Sequence, residues 1–318
     1  MVLFWILFLV LVGIILALDL GVFNKKDHVI SVGEALRWTG VWILVSLAFD
    51  VAIFFLYGNG IIEGPKGPIA GSEAALEYLT GYVIEKSLSL DNIFVMAAIF
   101  AYFKIPQIYQ HRVLFWGILG AIILRGIFIF GGTALILHFG WIMYIFGVIL
   151  IFTALKMLFG KDDEEQDLEK NAVVRFCRAF LPVTTKMEGH AFIIKENGKR
   201  FITPLLVTLF VIETSDVLFA VDSIPAIFAV TLDPFIVFTS NIMAILGLRS
   251  LYFALAAMLA KFAKLKYAIV FILAFIGVKM LTAELFEIPT AISLALIVVA
   301  LVAGTLASLV KKNEKANS

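Results

Sequence analysis

Long apolar runs, broken by short polar connections, constrain this chain more than any other feature. A helix that crosses a bilayer needs roughly 20 mostly apolar residues. Runs of that kind lie near 3–22, 40–58, 77–102, 112–132, 139–159, 203–229, 234–259, 267–285 and 288–310, so about nine transmembrane helices are expected. Inside lipid the backbone must satisfy its own hydrogen bonds, which makes an all-α membrane protein the expected fold class. Composition agrees: 62% of residues are hydrophobic and 15% charged, against roughly 45–50% and 25% in soluble domains. The 30 phenylalanines suit a lipid-facing perimeter. A net charge of +1 gives no reason to expect a nucleic-acid partner. The single cysteine, Cys177, excludes an intrachain disulfide. The first 20 residues are apolar but lack a basic leader and a small-residue cleavage site, so they read as a retained first helix.

Orientation follows from the lysines and arginines of the connections. Nineteen of them fall in the odd-numbered loops and the C-terminal tail, and one, Lys66, falls in the even-numbered loops. The other five, Lys86, Arg125, Lys156, Arg249 and Lys279, lie within spans. The asymmetry predicts an N-terminus outside and a C-terminus in the cytoplasm. It divides the chain into a first membrane half (1–159, helices 1–5), a cytoplasmic loop (160–202), a second membrane half (203–310, helices 6–9) and a cytoplasmic tail (311–318). The loop opens on the acidic run Lys161–Glu165 and carries Phe176, Phe180, Met187 and Phe192. It reads as a solvated linker in preference to a regulatory sensor.

The two halves contain a repeat. Ser89-Leu90-Asp91-Asn92-Ile93 resembles Ala220-Val221-Asp222-Ser223-Ile224, and another acid, Glu85 or Asp216, stands six residues before each Asp. Leu124-Arg125-Gly126 resembles Leu248-Arg249-Ser250, and Lys156-Met157-Leu158 matches Lys279-Met280-Leu281. The order acid, acid, Arg, Lys thus occurs on helices 3–5 and again on helices 6–8. Three helices make an odd number of crossings, so the second copy must be inverted. Inverted repeats with a site at their interface are a signature of many secondary transporters.

Acids within spans are costly and persist where they pair, face water or bind an ion. Helix 3 carries Glu85 and Asp91, and helix 6 carries Glu213, Asp216 and Asp222. At 100° per residue, Glu85 and Asn92 share a face, Asp216 and Asp222 lie about 120° apart, and Glu213 opposes Asp222. Convergence on one centre therefore requires a break, which Pro225 offers by freeing the carbonyl of Val221. The carboxylate, amide and hydroxyl oxygens of Asp91, Asn92, Asp216, Asp222 and Ser223 suit hard divalent cations such as Mn²⁺, Mg²⁺ or Ca²⁺. The four histidines and the cysteine lie in or near loops, which argues against zinc or copper. Three readings stay open here: metal coordination, a proton relay, and structural pairing of the acids with the supporting charges Arg125, Arg249, Lys156 and Lys279. Asp19 and Asp50 read as residues near helix ends, interfacial or capping.

The segments Glu85–Asn92 and Glu213–Ala226, with Ala17-Leu18-Asp19-Leu20-Gly21-Val22 and Gly247-Leu248-Arg249-Ser250, resemble the signature segments of the TerC family, and the whole chain resembles its bacterial Alx branch. The resemblance implies a manganese exporter of the bacterial inner membrane, with Mn²⁺ as transported ion and no prosthetic group. It carries the ion route onto the acids of both motifs, Glu85, Asp91, Glu213, Asp216 and Asp222. It also implies a link to tellurite resistance and alkaline response. The expected activity is Mn²⁺ export by alternating access, with protons as the counter-ion one alternative for its energy source. Two other classes compete: a non-transporting accessory for metal delivery or envelope assembly, and an intramembrane aspartyl protease, whose Gly-x-Gly-Asp pattern is absent. Neither the leading reading nor the accessory is an enzyme.

Overall fold

Local chemistry decides where the helices start and stop. The computed structural model describes residues 1–18, 30–65, 67–159, 172–187, 189–196, 198–256, 265–286 and 288–316. Asp19, His28, Lys66, the acidic run 161–165 and the loop lysines 25, 26, 170, 261 and 264 lie outside them. Helix α1 spans Val2–Leu18. Helix α2, Val32–Gly58, starts where the Ser31 hydroxyl accepts from the Glu34 amide at 3.2 Å. The turn Asn59-Gly60, with Gly60 at φ 66°, ends it. Helix α3 spans Gly71–Tyr102 and α4 spans Gln107–His138; the tight turn between them contains Lys104 at φ 51° and Pro106. Helix α5 follows over Ile142–Phe159.

The second half begins with α7, Pro204–Phe228, whose first turn opens on a proline that has no amide to leave unpaired. Asp233 caps α8, Pro234–Leu246, by accepting from the amides of Phe235 and Ile236 at 2.9 and 3.3 Å. Gly247 separates α8 from α9, Leu248–Ala256. Helices α10, Leu265–Leu281, and α11, Thr290–Ala316, complete the bundle.

The molecule is mostly helical, and among the described residues six helices are long and apolar enough to cross a membrane: α2, α4, α5, α7, the α8–α9 pair over Pro234–Ala256, and α11 over Thr290–Ser308. The other three expected spans depart from that pattern for separate reasons. Helix α1 is short at 17 residues, as is α10. Helix α3 has 32 residues but carries Glu73, Glu77, Glu85, Lys86 and Asp91. Several helices overrun the expected bounds because polar residues join their ends. Arg37 lies inside α2 and Arg112 inside α4, and Asp50 sits well within α2, not near its end.

The surface and the interior are inverted relative to a soluble protein. Leu44, Ile127, Phe152, Leu218 and Val299 are all more than 60% exposed, while Arg125, Glu85, Asn92 and Asn241 are buried. That is the arrangement lipid demands. In the core α3 packs on α8, α4 on α7, α5 on α10, and α3 on α7.

The expected linker is folded in its described part. Helix α6, Ala172–Phe180, packs on α7. An antiparallel hairpin, β1 (Ile193–Glu196) and β2 (Lys199–Ile202), pairs Ile193 with Ile202 and Lys195 with Arg200, so the chain is not purely helical. Val174 and Cys177 of α6 and Ile194 and Ile202 of the hairpin are buried, because these apolar positions need cover that a solvated linker cannot give.

Candidate functional site

The two acids that precede the motif aspartates meet at one point. Arg125, from the middle of α4, is 1% exposed and pairs with Glu85 of α3 at 2.5 Å and with Asp216 of α7 at 3.2 Å. Its Nε donates to the second Asp216 oxygen at 3.4 Å, and its Nη1 donates to Ser223 Oγ at 3.1 Å and Asn241 Oδ1 at 3.0 Å. The Ser89 hydroxyl donates to Glu85 Oε1 at 3.0 Å, and Asn92 Nδ2 reaches Asp216 Oδ1 at 3.5 Å. The helical period explains the α3 side: Glu85, Ser89 and Asn92 recur at i, i+4 and i+7 on one face. On α7, Asp216 and Ser223 recur at i and i+7 for the same reason.

Beside this cluster is a cavity of about 20 Å³ lined by Glu213, Asp216 and Arg249 and otherwise by apolar side chains such as Met96 and Ile212. A water needs roughly 10–15 Å³ measured this way, so the space suits one water or one bare cation. Glu213 reaches it by lying against Gly120, where any side chain would overlap the Glu213 carboxylate. Glu213 Oε2 and Asn92 Oδ1 are buried with no hydrogen-bond partner. Unsatisfied buried oxygens of this kind oppose folding unless something occupies them.

The remaining expected site residues lie apart. Asp222 is half-buried and accepts from the Thr153 hydroxyl of α5 at 2.9 Å, with Lys156 nearby. Asp91 is half-buried near Lys266, on the first turn of α10. Lys279 donates to Ser293 of α11 at 3.0 Å and neighbours Glu77, outside the cluster. Arg249 lines the cavity instead of joining Glu85 and Asp216.

The break was expected at Pro225, but α7 runs unbroken through that proline. The interrupted helix is α8–α9 at Gly247, where Lys86 Nζ donates to the carbonyl of Ala244 at 3.1 Å. Asp222 therefore turns outward to α5, and the seven expected ligands do not share one centre. Among the described residues, no three His, Cys, Asp or Glu side chains are grouped to hold a metal ion. The Arg125 guanidinium lies between Glu85 and Asp216. Asn241 and Thr153 stand outside the repeated motif, and Ser89 stands in it without a ligand role. Polar side chains inside apolar runs, Thr239-Ser240-Asn241 above all, were the available signal.

Comparison with known proteins places these residues in a family. The family model described as "Integral membrane protein TerC family" matches residues 70–316. An uncharacterised membrane protein of Myxococcus xanthus is 46% identical over 314 residues, covering 99% of this chain and 94% of its own length. Escherichia coli strain K12 has a relative provisionally named membrane-bound redox modulator Alx, 46% identical over 296 residues, 93% of this chain and 90% of that one. A Rickettsia felis membrane protein is 43% identical over 309 residues, 97% of this chain and 98% of its own. No solved structure matches the chain. With a buried two-acid, one-arginine centre built from both signature motifs, and with family and full-length relatives in agreement, the chain belongs to the TerC family of multi-pass integral membrane proteins.

Proposed function

We propose that the protein exports a divalent cation, Mn²⁺, from the cytoplasm by alternating access between two inverted three-helix repeats, α3–α5 and α7–α10. The observation that carries this reading is the meeting of Glu85 and Asp216, the corresponding acids of the two motifs, on one buried arginine. Two carboxylates and one guanidinium leave the centre one negative charge in excess. When Arg125 withdraws, the acids match the charge of a divalent cation, and Asn92, Ser223 and Asn241 add neutral oxygens. Such an all-oxygen set suits hard cations.

Packing supports the inverted repeat. Helix α3 lies on α8 and α4 on α7, which is one partnership with the repeats exchanged, while α3–α7, α4–α8 and α5–α10 pair each helix with its own counterpart. The arginines do not share this symmetry: Arg125 holds both acids, and Arg249 faces the cavity. Alternating access follows if the two arginines exchange these roles. Asp91 and Asp222 then flank the centre on its cytoplasmic and outer sides. Their different neighbours favour transport over an aspartyl dyad, which needs carboxylates roughly 3 Å apart. The orientation, N-terminus outside and C-terminus cytoplasmic in the bacterial inner membrane, rests on the basic residues of the odd-numbered loops. A direct thiol redox role is disfavoured, because one cysteine forms no dithiol. The redox name of the Escherichia coli relative fits an indirect effect of metal balance.

The deciding experiment is Mn²⁺ movement across vesicles containing only the purified protein. Transport that is lost in Glu85→Gln and Asp216→Asn, with both variants still folded, supports export. No movement by the unmodified protein overturns it in favour of the accessory reading. Arg125 itself favours a second reading, a structural ion pair. That reading predicts loss of thermal stability in the same variants with the transport of the folded fraction unchanged.

A further inference from the structure

A second buried polar group lies between α2 and α3, apart from the Arg125 cluster. The hydroxyls of Ser46 and Tyr78 are 2.9 Å apart. Asp50, one turn along α2 from Ser46, is close to Tyr78, and its buried Oδ1 has no hydrogen-bond partner. Tyr82, one turn along α3 from Tyr78, is 5% exposed, and its hydroxyl stands near Ser46 without a formed hydrogen bond. The order through space is Asp50, Tyr78, Ser46, Tyr82. The next polar residue on that face of α3 is Glu85, one turn further on, a rise of roughly 4.5 Å.

Two unsatisfied oxygens in one buried group oppose folding, so their retention points to an occupant that comes and goes. A hydroxyl both donates and accepts, so it relays a proton without keeping a charge. The carboxylate is the member that takes up and releases one. The titratable group facing Asp50 is Tyr78 of α3, and Tyr82 in turn neighbours Tyr78 and Ser46. Among the described residues, no charged side chain of α8 or α9, which also pack on α2, adds to the field at its carboxyl.

We propose that Asp50, Tyr78, Ser46 and Tyr82 form a proton route, with Asp50 as carrier, and that the proton is the ion exchanged for the exported cation. The proposal rests on the export reading. Each step balances: a proton arriving from the outer aqueous phase makes Asp50 a carboxylic acid, the acid donates to Tyr78 as Tyr78 donates to Ser46, Ser46 in turn donates to Tyr82, and Tyr82 releases its own hydroxyl proton toward the inner aqueous phase, so that Asp50 returns to a carboxylate and each hydroxyl keeps one proton. One proton moves inward, and no group is oxidised or reduced.

The test uses the purified protein in vesicles that contain a pH-sensitive dye, with Mn²⁺ added outside. Mn²⁺ entering with protons leaving is expected for the unmodified protein. In Asp50→Asn, Mn²⁺-driven proton movement falls roughly 100-fold, the scale on which positioned proton-transfer groups act, while Mn²⁺ binding by calorimetry is retained. Tyr78→Phe, which keeps the ring and its packing, decides the matter if Asp50→Asn does not fold. Proton movement at the unmodified level in either folded variant overturns the proton route. Mn²⁺ movement without protons in the unmodified protein overturns it as well and leaves export standing. No Mn²⁺ movement in the unmodified protein overturns the export reading and the coupling with it.

Discussion

At the scale of single residues, Arg125 and Glu213 play opposite parts. Arg125 is satisfied on nearly every nitrogen, and removing one partner of such a buried pair costs about 3–5 kcal/mol. Arg125→Ala is therefore expected to lower the melting temperature in detergent sharply, because Glu85 and Asp216 are left facing each other. Glu213 is held by space more than by bonds. Gly120→Ala puts a methyl group where its carboxylate lies, so Glu213 must leave the cavity. The expected result is a raised KM for Mn²⁺ with little change in maximal rate, measured by vesicle transport over a range of concentrations. An unchanged KM would show that Glu213 takes no part in binding the ion. The sequence alone pointed to Glu85, Asp216, Asn92 and Ser223 as site residues, together with Asp91, Asp222 and Glu213, through the repeated motif and the oxygen donors it carries. It could not show that Asp222 turns to Thr153, because that depends on where α5 lies beside α7.

At the scale of elements, close approach of backbones decides the packing. Gly277 of α10 meets α5 so tightly that a Cβ would lie 2.8 Å from Ile151 Cγ1 and 2.9 Å from the Gly147 carbonyl. Small residues permit such contacts between membrane helices. Gly277→Ala is expected to destabilise the bundle by about 1–3 kcal/mol, as overpacking does, which a thermal shift in detergent will measure. Gly247 has a different task. It ends α8 where Lys86 Nζ and Trp42 Cβ would stand 2.7 and 3.1 Å from an added Cβ. Gly247→Leu must displace Lys86 from the Ala244 carbonyl, so transport is expected to fall more than stability does. The interruption of α8–α9 was not legible in sequence, because a lone glycine in an apolar run reads equally well as continuous helix. Pro225 gave the louder signal, yet α7 absorbs it near its last turn, where a lost backbone hydrogen bond matters least.

At the scale of the whole molecule, the exposed apolar side chains and the buried ionic centre together describe a protein whose solvent is lipid. Trp141 and Tyr267, exposed at the start of α5 and α10, suit headgroup levels, where aromatic rings collect. The orientation is open to direct measurement. With Cys177→Ala as background, Phe139→Cys in the α4–α5 connection should react with an impermeant thiol reagent added to intact cells. Lys195→Cys in the hairpin should react only after the membrane is opened. The reverse pattern would invert the topology and the direction of transport.

Sequence by itself determined the helical membrane class, the two motif copies, the residue types of the ionic centre and the oxygen-donor chemistry it offers. These follow from local rules: apolar length, helical period, and the cost of charge in lipid. Only the tertiary structure decided which acids meet. It joined Glu85 to Asp216 through Arg125, left Asp91 near Lys266 and Asp222 on Thr153, sent Arg249 to the cavity, and placed Asp50 in a polar group of its own. The reason is geometric: a side chain's partner depends on the distance and rotation of a neighbouring helix, and the period of one helix carries no record of either.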